Sequence, residues 1–290
     1  MSLSLSELKN RFRRIKLIVS DIDGTLVDND GNLSPHTVQI VKKLQEKNIL
    51  FSLASQRVHS SIVPLAKELD IKIPLISLNG TLIQDVKGKV VLNKSIIDEK
   101  YVKKALKFAE TYYVKVALCY NDEIIYTEDN SVIKDFMTRL GTTYTLVKSY
   151  DDHMNNVLEI IMSGNDRSVM KHIQSKMQPP FGLFLKVKYY RSQTFQGVFN
   201  IEILRKGVSK RTGLKILTKY LNISKEEVMV FGDWYNDRDL FQFGGTNIAL
   251  ENAVDELKTM ADFVTDKSND DGGVAEFLKM FYETINSKKK

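Results

Sequence analysis

The chain has 290 residues, 43% of them hydrophobic and 27% charged; this excludes a disordered or fibrous class and gives room for about two domains with a sizeable core. Its net charge of +6 favours anionic partners, but Lys288 to Lys290 supply three of those charges from a solvated tail, so specific nucleic-acid binding is not expected. The single cysteine, Cys119, excludes a disulfide framework and a cysteine-rich zinc site, which makes a reducing compartment the default. No apolar run approaches the roughly 18 residues of a membrane span. The polar opening "MSLSLSELKNRFRR" lacks the apolar centre of a signal peptide. A cytoplasmic protein with no membrane association is expected, and its oligomeric state is not legible.

The first predicted element is a strand, "IKLIVS" (Ile15 to Ser20), short, β-branched and nearly all apolar, as befits burial on both faces of a parallel sheet. "DNDGNLS" reads as a turn region, and Ser34-Pro35 then predicts a helix with Ser at the N-cap and Pro at its first position. A strand "ILFSLAS", a helix "SSIVPLAKELD" and a strand "PLISLNG" come next. Their alternation is that of a doubly wound α/β sheet. After Gly80 the rhythm changes. "KVVLNKSI" is strand-like, "DEKYVKKALKFAETY" is an amphipathic helix, and "KVALCYND" with "EIIYTED" reads as a hairpin around Asn121-Asp122. Helix "SVIKDFMTRLG", strand "NVLEIIMSG", helix "DRSVMKHIQSKM" and strands "LFLKVKYYRS" and "FNIEIL" complete an α+β stretch. The α/β rhythm resumes with helix "SKRTGLKILTKYL", strand "VMVFGD", helix "DRDLFQF", strand "TNIAL", helix "AVDELKTMA" with Asn252 as its expected N-cap, strand "DFVT" and a last helix from Gly273. The expected architecture is a Rossmann-like doubly wound parallel-sheet core of residues 1–82 and 200–290, with an α+β cap domain of residues 83–199 inserted into it.

In open α/β sheets the ligand sits beyond the carboxyl ends of the strands, so the residues just after each apolar run carry the information. These are Asp21 and Asp23 in "DIDGT", Ser55 in "LASQR", and Asp233, Asn236 and Asp237 in "GDWYND"; Lys210 opens a helix in "KGVSK". Singly, most have bland explanations: Asp-Gly is a turn, Ser55 a cap, Lys210 a solvated surface charge. The four fixed positions of D-x-D-G-T, however, arise by chance at only about 10⁻⁵ per site. Several carboxylates meeting one lysine at a strand rim would repel each other without a bound cation, and with an anionic substrate they become useful. All-oxygen ligands suit Mg²⁺. Phosphoryl transfer is the chemistry that fits.

The set "DIDGT", "LASQR", "KGVSK" and "GDWYND", in that order and with an α+β insertion after the third strand, resembles the haloacid dehalogenase superfamily, and more closely its Cof-type phosphatases with a large C2-type cap. "ISLNGTLI" is similar to the family's Asn-Gly segment before the cap, and "NIALENAVDELKTMADFVTDKSNDDGGVAEFL" to its C-terminal pattern, so the resemblance spans essentially the whole chain. It implies a Mg²⁺-dependent phosphatase of small phosphorylated metabolites, sugar phosphates foremost, working through an aspartyl-phosphate. Asp21 would be the nucleophile and Asp23 the general acid and base. The metal would be held by Asp21, the Asp23 carbonyl and Asp233, with Asp237 outside them or bound through water. Ser55, Lys210, Asn236 and the backbone amides of Ile22 and Gln56 would cradle the phosphate. The family usually has Gly where this chain has Gln56, which puts that one correspondence in question. Two other readings share the motifs: a phosphomutase, and a non-catalytic regulator that binds a phosphorylated ligand. The intact set of Asp21, Asp23, Lys210 and Asp233 argues against the regulator.

Overall fold

The computed structural model describes residues 5–127, 144–192 and 195–287. The chain divides into two compact units, one of Met1–Gln56, Ile62–Leu92 and Ser209–Lys290, the other of Arg57–Ser61 and Asn93–Val208. The main crossings thus fall at 92/93 and 208/209, where the sequence reading put them at 82/83 and 199/200. Strand pairing explains the second difference: residues 199–205 form a strand of the second unit's sheet.

The first unit opens with helix α1 (Leu5–Phe12), strand β1 (Leu17–Ser20), helix α2 (Pro35–Gln45), strand β2 (Leu50–Leu53) and helix α3 (His59–Glu68). Strand β3 (Leu75–Ser77), a 3₁₀ turn at Leu78–Gly80, β4 (Leu82–Gln84) and β5 (Val91–Lys94) come after them. Helix α2 starts as its sequence dictates: the Ser34 hydroxyl accepts from the Thr37 N–H, and Pro35 takes the first turn, where no donor is needed. Helix α1 is less legible, because its value lies in tertiary packing. Phe12 at its end is buried and meets Phe277 and Phe281 edge-on, at centroid distances of 5.7 and 5.0 Å. Burying such a ring contributes about 1.5–3 kcal/mol.

The second unit carries helix α4 (Glu99–Tyr112), strands β6 (Lys115–Cys119), β7 (Ile124–Tyr126), β8 (Tyr144–Leu146) and β9 (Glu159–Gly164), helix α5 (Arg167–Met177), and strands β10 (Leu185–Arg191) and β11 (Phe199–Arg205). Its described strands form one sheet in the order β10-β11-β9-β6-β7-β8. The hairpin read at Asn121-Asp122 is β6-β7. The helix read at 131–141 lies outside the described residues.

The first unit resumes with α6 (Lys210–Leu221), β12 (Val228–Gly232), α7 (Arg238–Phe241), β13 (Thr246–Ala249), α8 (Asp255–Met260), β14 (Phe263–Val264) and α9 (Gly273–Asn286). Its main sheet runs β14-β13-β12-β1-β2 with every pair parallel, and β3 joins β2 through the parallel bridge Ala54–Ile76. Along β1, Ile18 enters one apolar cluster while Leu17 and Val19 enter another, so both sheet faces are buried and the strand reads as unbroken apolar sequence. From β1 the chain builds outward first on the β2 side and later on the β12 side. The switch point of the sheet is therefore at the carboxyl end of β1, where ligands bind in this architecture.

Candidate active site

Asp21 follows β1 at that switch point. Its N–H donates to the Phe231 carbonyl (3.1 Å) of the neighbouring β12, which fixes it level with the "GDWYND" segment. Its side chain is buried beside Lys210, whose ammonium lies 2.7 Å from Asp21 Oδ1 and 2.7 Å from Asp237 Oδ1. Lys210 reaches there as the first residue of α6, a helix secured by a capping box between Ser209 and Thr212. Glycine makes the approach possible. A side chain at Gly80 would collide with the Ser209 carbonyl, and one at Gly213 would strike Ile76 (2.7 Å) and Gly80 Cα (3.3 Å), so the turn after β3 and the start of α6 are clamped together.

Asp233 and Asp237 come from the loop after β12. The Thr25 hydroxyl donates to Asp233 Oδ1 (2.6 Å), and Gly24, at φ +73°, leaves no room for a Cβ against the same carboxylate. Asp237 is fully enclosed: its Oδ2 accepts from the N–H groups of Asp233 (3.1 Å) and Trp234 (3.3 Å), while Oδ1 takes Lys210. One oxygen from each of Asp21, Asp233 and Asp237 lies within 4.8 Å of the others. Burial, and then the Asp237 charge, push Asp21 well above the usual carboxylate range despite Lys210. Burial and the Asp21 charge raise Asp233 to about 7; burial also raises Asp237. For Lys210, burial pulls downward, but Asp21 and Asp237 together outweigh it and hold the ammonium above its ordinary value.

This arrangement could hold a cation. Three buried acids face a single ammonium, and burial works against the ionised form of all three. The donors are all oxygen and hard, which fits Mg²⁺ by chemistry. Asp237 has both oxygens engaged by protein donors, so Asp21 and Asp233 are the acids with capacity to spare.

Each remaining predicted residue also lies in the first unit. Asp23 is half-buried in the turn after Asp21, and Ile22 is buried with its carbonyl accepting from Thr25, Leu26 and Val27. Ser55 is buried just beyond β2. Its N–H donates to Ile76 O (2.9 Å) and its carbonyl accepts from Asn79 (3.0 Å), holding the segment at the same rim as Asp21. Gln56 is half-buried and is not among the residues of positive φ, so no left-handed conformation is asked of it. The left-handed residues of this rim are instead Leu78 and Asn79. Asn236 sits in the 3₁₀ turn Tyr235–Asp237, with a buried Oδ1 that has no partner among the described residues. Trp234 and Tyr235 pack edge-on against each other (5.2 Å) and are exposed. Two contributors escaped the sequence reading. Thr25, present in "DIDGT", is the hydroxyl that orients Asp233. Asn252 is not the cap of α8, whose N-cap is Val254; its amide donates to Gly24 O (2.8 Å) and accepts from Asn269 N–H (3.0 Å), tying down the glycine turn.

Known proteins resemble this chain over most of its length. Residues 18–278 match the haloacid dehalogenase-like hydrolase family. The chain is 29% identical over 289 residues to the candidate phosphatase MG265 of Mycoplasma genitalium, covering 93% of this chain and 99% of that one. It is 27% identical over 288 residues to the 5-amino-6-(5-phospho-D-ribitylamino)uracil phosphatase YwtE of Bacillus subtilis, covering 91% and 97%. Among solved structures, a haloacid dehalogenase-like hydrolase from Bacteroides thetaiotaomicron superposes with a TM-score of 0.82 at 26% identity, over 92% of this chain and 99% of that one. Among the described residues no helix is long and apolar enough to cross a membrane. With a parallel sheet whose switch point holds the Asp21, Asp233, Asp237 and Lys210 cluster, and a match that runs nearly end to end, this chain belongs to the haloacid dehalogenase-like hydrolases.

Proposed function

We propose that this hydrolase is a Mg²⁺-dependent phosphatase of small phosphorylated metabolites, sugar or polyol phosphates foremost, and that it works through a phosphorylated Asp21. The observation that carries the reading is Asp21 itself, a carboxylate buried at the sheet's switch point and held 2.7 Å from a buried lysine. A structural ion pair needs neither that position nor two further acids. Asp21 and Asp233, with the Asp23 carbonyl, would hold Mg²⁺, which supplies positive charge against the phosphate and the approaching carboxylate. Asp237 positions Lys210 and the Asp233 backbone rather than giving an oxygen to the ion.

Asp21 attacks phosphorus in line, forming the acyl-phosphate bond as the ester P–O bond breaks. Asp23 gives its proton to the departing oxygen, then takes one from the water that cleaves the aspartyl-phosphate, which returns Asp21 and releases inorganic phosphate. Lys210, Ser55 and the Asn236 amide compensate the phosphoryl oxygens. The ribitylaminouracil phosphatase named above acts on a phosphorylated polyol chain, which favours that substrate class here. The test is phosphate release from a panel of metabolite phosphates, without any bisphosphate activator. Activity should need Mg²⁺ and vanish in Asp21→Asn; full turnover in excess EDTA, or an active Asp21→Asn protein, would sink the reading.

A further inference from the structure

The segment "ISLNG" ends strand β3 at the same rim as Asp21 and Ser55, yet no step of the reaction above uses it. In a parallel pair the ladder bonds are evenly spaced. The Ser55 N–H donates to the Ile76 carbonyl (2.9 Å), so a regular ladder would next bring the N–H of residue 78 to the Ser55 carbonyl. Asn79 makes that bond instead, at 3.0 Å. Leu78 is therefore an extra residue, a bulge opposite Ser55. It is left-handed at φ +46°, Asn79 follows at +54° and Gly80 at +93°. Leucine takes that conformation only at a cost. Bulges beside ligand sites commonly re-aim a side chain, and here the side chain set by the bulge is that of Asn79.

Asn79 is 3% exposed, and its Nδ2 has no hydrogen-bond partner among the described residues. A buried amide donor left unpaired is destabilising. The turn does not require it, since glycine takes a left-handed φ more readily and would bury no amide. The neighbouring acids are engaged elsewhere: Asp21 with Lys210, Asp233 with Thr25, and Asp237 with Lys210 and two backbone N–H groups. On one side Asn79 is bonded to Ser55; on the other, Gly80 lies against the Ser209 carbonyl, next in the chain to Lys210. Ser55 and Lys210 are as enclosed as Asn79. An amide donor flanked by a hydroxyl and an ammonium is a set that suits an anionic oxygen, which accepts from all three.

We infer that Asn79 is a further substrate-binding residue of this hydrolase, placed by the Leu78 bulge to donate its side-chain N–H to a phosphoryl oxygen between Ser55 and Lys210. The inference rests on the phosphatase reading above.

The experiment uses the full-length protein with Mg²⁺ and reads two quantities, the affinity for inorganic phosphate by calorimetry and kcat/KM for p-nitrophenyl phosphate. Asn79→Gly keeps the left-handed turn and deletes the amide. Asn79→Asp keeps the shape and exchanges the donor for a negative charge. Loss of a hydrogen bond to a charged group should weaken phosphate binding about 10- to 100-fold in Asn79→Gly, and further in Asn79→Asp, with kcat/KM falling in step. Urea denaturation separates this from a purely structural role, which would lower the midpoint and leave the phosphate affinity as it was. Unchanged phosphate affinity in Asn79→Gly overturns the inference, whatever happens to stability. If the wild type binds phosphate but hydrolyses no ester, the phosphatase reading fails and the phosphate affinities alone decide the role of Asn79 by the same criterion. A wild type that binds no phosphate overturns the inference. Should Asn79→Gly not fold, Asn79→Asp is judged in its place, because aspartate also tolerates a left-handed φ.

Discussion

The charge balance around Asp233 can be measured without any substrate. The residue is 6% exposed, and burial, followed by the Asp21 charge, lifts its pKa from 3.8 to about 7. Between those values the folded protein keeps a proton that the unfolded chain has released. Stability conferred at low pH is therefore lost as pH rises through about 7, where the folded group at last ionises. At about 1.4 kcal/mol per pH unit, the interval corresponds to about 4 kcal/mol. Asp233→Asn removes the ionisation while leaving an oxygen for the Thr25 hydroxyl. In EDTA, urea denaturation should find the variant more stable than the wild type by about 2–4 kcal/mol at pH 8, with the gap closing toward pH 4. Millimolar Mg²⁺ should reverse the order, because an ion that binds the folded state stabilises it in proportion to its affinity, and the ion needs Asp233 ionised. A variant less stable than the wild type at pH 8 in EDTA, or a difference that ignores pH, would refute the account of the acids as a cation site.

Lys210→Met strands Asp21 and Asp237 in a buried position without their cation; denaturation at pH 8 should show a loss of about 3–5 kcal/mol, and a loss below about 1 kcal/mol would mean the acids are hydrated. Gly24→Ala puts a methyl group against the Asp233 carboxylate at a left-handed residue. Magnesium titration of activity should show an apparent affinity lowered by about 10- to 100-fold. Asp23→Asn should slow hydrolysis of alkyl phosphates by about 10²- to 10⁴-fold, since their leaving oxygen needs a proton. With p-nitrophenyl phosphate it should give a rapid-mixing burst near one equivalent of active sites, and Asp21→Asn should give none; a burst from the Asp21→Asn protein would mean that the nucleophile lies elsewhere.

What was legible in the sequence is local chemistry at strand ends. "DIDGT" and "GDWYND" mark their own positions, because an apolar strand fixes where the chain emerges and the turn residues beyond it fix how it bends back. Ser34-Pro35 and Gly273 likewise sit where helices α2 and α9 begin. The rest depends on which distant segments meet. Asn252 has the composition of a helix cap, yet its amide bonds Gly24 from 228 positions away. Phe12 lies in a stretch whose charged neighbours hide its burial, and only α9 supplies the rings it packs on. Glu159 and Glu202 are buried in segments that read simply as strands, because alternation does not say which face the helices will cover. The substitution at Gln56 looked like a departure with backbone consequences. Its φ is not positive, so the backbone there carries no left-handed strain.

The glycine clamp between Gly80 and Ser209 bears on how such a chain can evolve. Two points 129 positions apart in sequence touch backbone to backbone, so whatever length is spliced between them begins and ends at one place on the first unit. Closing a longer loop costs only about 0.6 kcal/mol for each doubling of its length. The clamp is a docking port whose geometry is indifferent to the length of the second unit's segment 93–208, so that segment can be lengthened, trimmed or exchanged while Lys210, one residue beyond the clamp, keeps its bond to Asp21.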